Sequence, residues 1–177
     1  LEQTVEKFQR ASQTLKYAQV PTVVAVQGMA LGGGCEFLMH AGKRVMALES
    51  YVGLVEAGVG LIPAGGGCKE FAIRAADWAA QSATPGEVFD FLQPVFQTIA
   101  MARVAKSAVE AIDSGFARPS DTILFNANEL LFVAIREARA MADAGWAPPL
   151  MARGIPVAGR TGIATFEMML VNMKEGG

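Results

Sequence analysis

Charge is scarce in this chain. Only 18% of its 177 residues are Asp, Glu, Lys or Arg, and the two signs nearly cancel to a formal net charge of −2. No basic cluster is present, which argues against a nucleic-acid partner. Metal ligands are scarce as well. One histidine, His40, and two cysteines, Cys35 and Cys68, offer no zinc-type spacing, so no metal site is expected. The cysteines read as reduced thiols of a cytoplasmic protein. Long apolar runs are missing too. Gly, Pro or Gln interrupts every stretch that approaches the length of a bilayer span, so none is expected. No signal peptide is visible, and the chain does not begin with Met. LEQTVEKF reads as the middle of a helix, and NMKEGG stops without a terminal element. These ends suggest a piece of a longer polypeptide, truncated on both sides.

Apolar residues are plentiful, at 52% of the chain. That is enough for one sizeable core with apolar surface left over, which fits an oligomer, a partner domain or a greasy ligand. Residues 2–18 place Val5, Phe8, Leu15 and Ala18 at helical spacing, with Glu6 and Arg10 as an i, i+4 pair. Pro21 breaks that pattern, and 23–26 reads as a fully buried strand. After three glycines, 35–40 reads as a buried helix, and 44–49 and 51–56 as short strands. Residues 57–67 form a glycine-rich loop, and 68–80 a helix. Thr84-Pro85-Gly86-Glu87 has the chemistry of a helix start. Pro94 is expected to kink or divide the helix beyond it. Met101, Val104, Ala105, Ala108, Val109 and Ile112 predict one amphipathic helix across 100–113, ended by Gly115. Asn126 with Glu129 opens a further helix carrying Leu131, Ile135, Ala138 and Ala142. The Gly- and Pro-rich stretch GWAPPLMARGIPVAGRTG reads as an ordered loop.

The stretch QGMALGGGCEFLMH, residues 27–40, runs from a strand into Gly32, Gly33 and Gly34 and then an acid, Glu36, among apolar neighbours. A carboxylate in such company needs a partner or a job. A dinucleotide fingerprint fails, because GMALGGG lacks the first G-x-G and Pro63 stands where GVGLIP needs its last glycine. Neither AGKR nor GGGCKE makes a phosphate loop. Two readings stay open. One is tight backbone packing around a glycine turn. The other is an oxyanion hole, in which free N–H groups at a helix N-terminus meet a carbonyl oxygen that gains negative charge.

AVQGMALGGGCEF resembles the signature of the crotonase superfamily, the enoyl-CoA hydratases and isomerases, whose turn reads N-G-x-A-x-G-G-G-x-E. Gln27 replaces the usual Asn. YVGLVEAGVGLIPAGGG resembles the family's second block, with Glu56 on its acidic position twenty residues after Glu36. The resemblance covers residues 21–67. It implies an α/β fold, a partial crotonase-like (ClpP/crotonase) spiral core over 1–80, with a helical lid or oligomerisation region over 81–177. It implies that the Gly33 N–H is an oxyanion donor and that Glu36 and Glu56 hold and activate water. It places Leu31, Gly32, Gly34 and Pro63 against the substrate, an acyl-CoA thioester. No cofactor is implied for this chain.

The departures are also informative. The family's second oxyanion donor lies in an A-G-x-D loop that is absent here, so this chain alone is expected to be a poor enzyme or none. Strands that should precede residue 1 would leave the 23–26 strand with an open edge, and pairing with another copy is expected there. Gly42 stands where the family has Asp. Lys69 reads as a solvated helix charge or, less in keeping with its place, a phosphate contact. GLVEAGVGLIPAGGGCKE, FNANELL and GIPVAGRTG resemble fused bacterial proteins with a 3-hydroxyacyl-CoA dehydrogenase part and a hydratase part. Any NAD would belong to the dehydrogenase part, which is not in this sequence. An enoyl-CoA isomerase and a non-catalytic acyl-CoA-binding or assembly module are the rival functions.

Overall fold

The computed structural model describes residues 2–82 and 87–175. Strands β1 (Val23–Val26), β3 (Lys43–Ala47) and β6 (Thr122–Leu124) form a parallel sheet in the order β1-β3-β6. A second sheet holds β2 (Met29–Leu31), β4 (Tyr51–Gly53) and β5 (Val104–Ala105); β4 pairs parallel with β2 and antiparallel with β5. The helices are α1 (Glu2–Lys16), α2 (Gly33–His40), α3 (Gly67–Gln81), α4 (Val88–Ala100), α5 (Ala108–Asp113), α6 (Leu130–Asp143) and α7 (Gly159–Glu175). Both sheets therefore cross residue 80, since β5 and β6 come from the C-terminal half.

The strand at 23–26 forms, but it is not fully buried. β1 lies at the sheet edge and Ala25 is exposed, because β3 takes the central place with Val45 and Met46 wholly inside. The helix expected across 100–113 is corrected. The chain leaves α4 at Ala102, which has a positive φ of 48°, pairs β5 onto β4, and starts α5 only after Ser107. The Ser107 hydroxyl accepts from the Glu110 N–H, and that cap restarts the helix. Met101 and Val109 are exposed as a result. Pro94 does not divide α4; the helix runs through it. In α6 the buried residues are Leu130 and Ala134, while Leu131 and Ile135 are exposed, so the expected stripe is one residue out of phase. The loop expected through 162 ends earlier, at α7, whose Phe166 stacks on Phe89 and Phe96. Thr84, Pro85 and Gly86 lie outside the described residues.

Two buried arginines tie these elements together. Arg44, fully buried, donates from Nε to Asp121 Oδ2 at 2.6 Å and from Nη1 to the Leu38 and Ala41 carbonyls at 3.2 and 3.1 Å. It thereby adds a donor to carbonyls at the end of α2. Arg74 of α3 donates to the Met39, Gly115 and Phe116 carbonyls. The main apolar core between them includes Cys35, Leu38, Met46, Leu54, Phe71 and Phe116.

Candidate active site

Gly32 makes the turn from β2 into α2. Its φ of 54° and ψ of −124° suit a residue without a Cβ, and its N–H donates to the Gly53 carbonyl at 2.9 Å. Gly33 then opens α2, so its N–H has no acceptor within the helix. One turn on, Glu36 is 3% exposed. Its Oε1 accepts from the N–H of Gly67, the first residue of α3, at 2.9 Å. The positive ends of α2 and α3 thus meet at this carboxylate. Burial still pushes its pKa up; the amides of Gly65, Gly66 and Gly67 oppose the rise, and the nearby Glu56 charge adds to it.

Glu56 begins the 3-10 turn Glu56–Val59 that comes after β4. Its Oε1 lies 3.4 Å from the point where a Gly32 Cβ would stand. Its Oε2 is buried without a hydrogen-bond partner among the described residues. The two carboxylates therefore flank the same glycine turn. Of the other expected contacts, Leu31 ends β2 and is half-buried, and Gly34 is exposed with nothing within 4 Å of the point where its Cβ would stand. Pro63 is fully buried and packs against Gly67, so its place is beneath the loop that carries the α3 amides.

Lys69 keeps 36% of its side chain exposed, and its ammonium is tied into a cluster rather than turned to this turn. Its Nζ donates to Glu70 Oε1 at 2.8 Å and lies 3.0 Å from His40 Nε2. Glu70 also takes Lys16 Nζ at 2.6 Å, which pins α1 to α3. Burial pushes the Glu70 pKa up, but two ammonium groups outweigh it and hold the carboxyl below the usual range. Lys16 has one carboxylate against its own burial, and burial wins, lowering its pKa. His40 is buried with a lowered pKa; its Nδ1–H donates to the Glu36 carbonyl at 2.6 Å, which leaves Nε2 to accept from Lys69. The space of the missing Asp at Gly42 is filled by Trp146, 2.7 Å from the point where a Cβ would stand. Among the described residues no group of His, Cys, Asp and Glu could hold a metal ion, and no helix is long and apolar enough to cross a membrane.

The aromatic wall of this turn has no signal in the sequence pattern. Phe8 of α1 reads as ordinary core by its spacing, yet its ring rests against Gly33 and Gly65.

A family model described as enoyl-CoA hydratase/isomerase matches residues 2–84. A Bacillus subtilis (strain 168) protein named "Probable 3-hydroxyacyl-CoA dehydrogenase" is 38% identical over 173 residues, 98% of this chain and 21% of that protein. A fatty acid oxidation complex subunit alpha from Idiomarina loihiensis is 48% identical over 63 residues, 36% of this chain and 9% of that one. The solved structure of an enoyl-CoA hydratase from Bacillus anthracis matches 99% of this chain and 67% of that chain, with a TM-score of 0.59 and 20% identity, a likeness of fold alone. The chain carries the enoyl-CoA hydratase/isomerase pattern of that family model over residues 2–84. It has part of the crotonase fold with a helical C-terminal region. It spans about a fifth of the length of the Bacillus subtilis relative.

Proposed function

We propose that this site belongs to an enoyl-CoA hydratase, which adds water syn across a trans-2-enoyl thioester. The observation that supports it is the pair of carboxylates, Glu36 and Glu56, flanking a turn whose first helical amide lacks an intrahelical acceptor. In the reaction, oxygen adds at C3 and a proton at C2, and the thioester oxygen gains negative charge on the way. The Gly33 N–H is one donor to that oxygen. Glu56 Oε2, buried without a partner, is an acceptor for the attacking water. Glu36, whose pKa is raised by burial, is suited to give the proton to C2. The chemistry asks for no metal or cofactor in this chain.

The substrate is an acyl-CoA of fatty-acid β-oxidation, and the site works within a longer fused polypeptide that also holds an NAD-dependent dehydrogenase. The match of 98% of this chain to 21% of the Bacillus subtilis relative supports that setting. Two free thiols are in keeping with the cytoplasm. The open β1 edge and exposed Met29 are in keeping with a homo-oligomer. An isomerase adds no water and needs one acid, so the paired carboxylates favour hydration. An acyl-CoA-binding module would bind without turnover.

The test is loss of the enoyl absorbance of crotonyl-CoA, measured on this chain and on the longest natural polypeptide that contains it. Glu36→Gln keeps an acceptor for the Gly67 N–H, so it should fold normally and lower hydration by roughly 10²–10⁴. Wild-type hydration in that variant would remove Glu36 from the reaction. Double-bond migration without hydration would favour the isomerase.

A further inference from the structure

Phe8 is a half-buried ring on α1, tilted by 55° against Phe37 at a centroid distance of 4.7 Å. A Cβ on Gly33 would stand 3.0 Å from its Cζ. A Cβ on Gly65 would fall on the ring and on Glu36 Oε2 at once. Ring and carboxylate oxygen therefore face each other across the missing Gly65 side chain, within contact range. The same ring touches the residue whose orphan N–H opens α2. An aromatic ring there gives no hydrogen bond to the carboxylate, and it fills room that water would otherwise take.

We propose that Phe8 is a positioning residue of the site, a wall that holds Glu36 Oε2 out of bulk water so that a reacting water and the substrate are its polar partners on that side. The inference rests on the hydratase reading of Glu36. The titratable groups that face Glu36 come from three elements: Glu56 in the 3-10 turn, Cys35 beside it in α2, and Cys68 in α3. His40 reaches only its main-chain carbonyl, and the Lys16–Glu70–Lys69 cluster lies beyond His40. From α1 the nearest group is the uncharged ring. The Phe8 ring is one of the groups that bury Glu36, and burial lifts its pKa.

The experiment titrates Glu36 by carboxyl carbon-13 NMR in this 177-residue chain, labelled at glutamate Cδ, as wild type, Phe8→Ser and Phe8→Leu. The wild-type midpoint should lie above the ordinary glutamate range. Phe8→Ser should bring it down toward that range, and Phe8→Leu, apolar and bulky, should retain most of the elevation. Glu70, whose partners are Lys16, Lys69 and His40, should titrate alike in all three. Should Phe8→Ser fail to fold, Phe8→Ala takes its place with the same expected fall. A Glu36 midpoint that stays put in a folded Ser or Ala variant, or that falls equally in Leu, overturns the proposal. The alkaline limb of the hydration profile, where Glu36 gives up the proton it must carry, should move with the NMR midpoint. If Glu36→Gln hydrates at the wild-type rate while Phe8→Ser still lowers the midpoint, the catalytic reading of Glu36 fails and the shielding stands.

Discussion

Replacing Glu56 by Gln should make the fold more stable and the site less active. Glu56 Oε2 is buried without a partner, and the Glu56 charge sits close enough to Glu36 to raise its pKa. An unsatisfied buried acceptor costs about 1–3 kcal/mol, and more when it is charged. Glu56→Gln keeps the shape and removes the charge. It leaves an amide unpartnered instead, so part of the cost remains. The net expected gain is about 1 kcal/mol, on the order of 2–4 °C in Tm for a chain of this length. Urea unfolding should show a higher midpoint with an unchanged m value. Crotonyl-CoA hydration by the parent polypeptide should fall by roughly 10²–10⁴. The Glu36 midpoint should fall as well, since a neighbouring negative charge has gone. A lower urea midpoint in Glu56→Gln would refute the reasoning, because it would mean that the carboxylate is satisfied where it stands.

Asp121→Ala should cost about 3–5 kcal/mol in urea unfolding, because it strands the fully buried Arg44 without its carboxylate; an Arg44→Met, Asp121→Leu double variant should lose much less. Stability should depend on pH in opposite senses through Glu36 and Glu70. The folded pKa of Glu36 is raised, so its contribution is full below the unfolded value and is lost as pH rises through the folded one. The folded pKa of Glu70 is lowered, so its contribution is present above the unfolded value and is lost as pH falls through the folded one. Urea midpoints measured between about pH 3 and 7 should therefore show Glu36→Gln gaining on the wild type as pH rises, and Glu70→Gln losing least at acid pH.

The β1–turn–α2 unit was legible because its signals are local. Pro21 marks the break between the first helix and the strand, β-branched residues come next, and the glycines cannot continue a strand. The 100–113 segment was not, because its apolar spacing fits a helix and the deciding partner is distant. β5 can approach β4 only because Gly53 has no side chain; a Cβ there would stand 2.6 Å from the Arg103 carbonyl oxygen. α6 shows a subtler failure. Its helical period is right, but packing against β1 and β3 selects Leu130 and Ala134, and no local feature marks that phase. In the site, the motif gave the carboxylates and the turn. Phe8, the Lys16–Glu70 pair and the Arg44–Asp121 pair are each joined across long stretches of sequence, so spacing alone could not find them.

The three glycines of the turn have three different causes, and one of them can be isolated by mutation. Gly32 needs its positive φ. Gly33 needs room for the Phe8 ring. Gly34 needs neither, since it is exposed, helical and has no atom within 4 Å of a Cβ position. Packing therefore gives no reason for a glycine there, and a helix disfavours one by at most roughly 0.5–1 kcal/mol relative to Ala, the mid-helix figure. Gly34→Ala should raise the urea midpoint by about that amount. If the open side of Gly34 is where the thioester comes up to the backbone, the same variant should raise KM for crotonyl-CoA while the Glu36 titration stays unchanged. A more stable variant with unaltered KM would mean that the substrate keeps clear of Gly34. A destabilised variant would mean that the space above Gly34 is filled by the protein itself, and the approach would then have to lie on the Gly33 side of the turn.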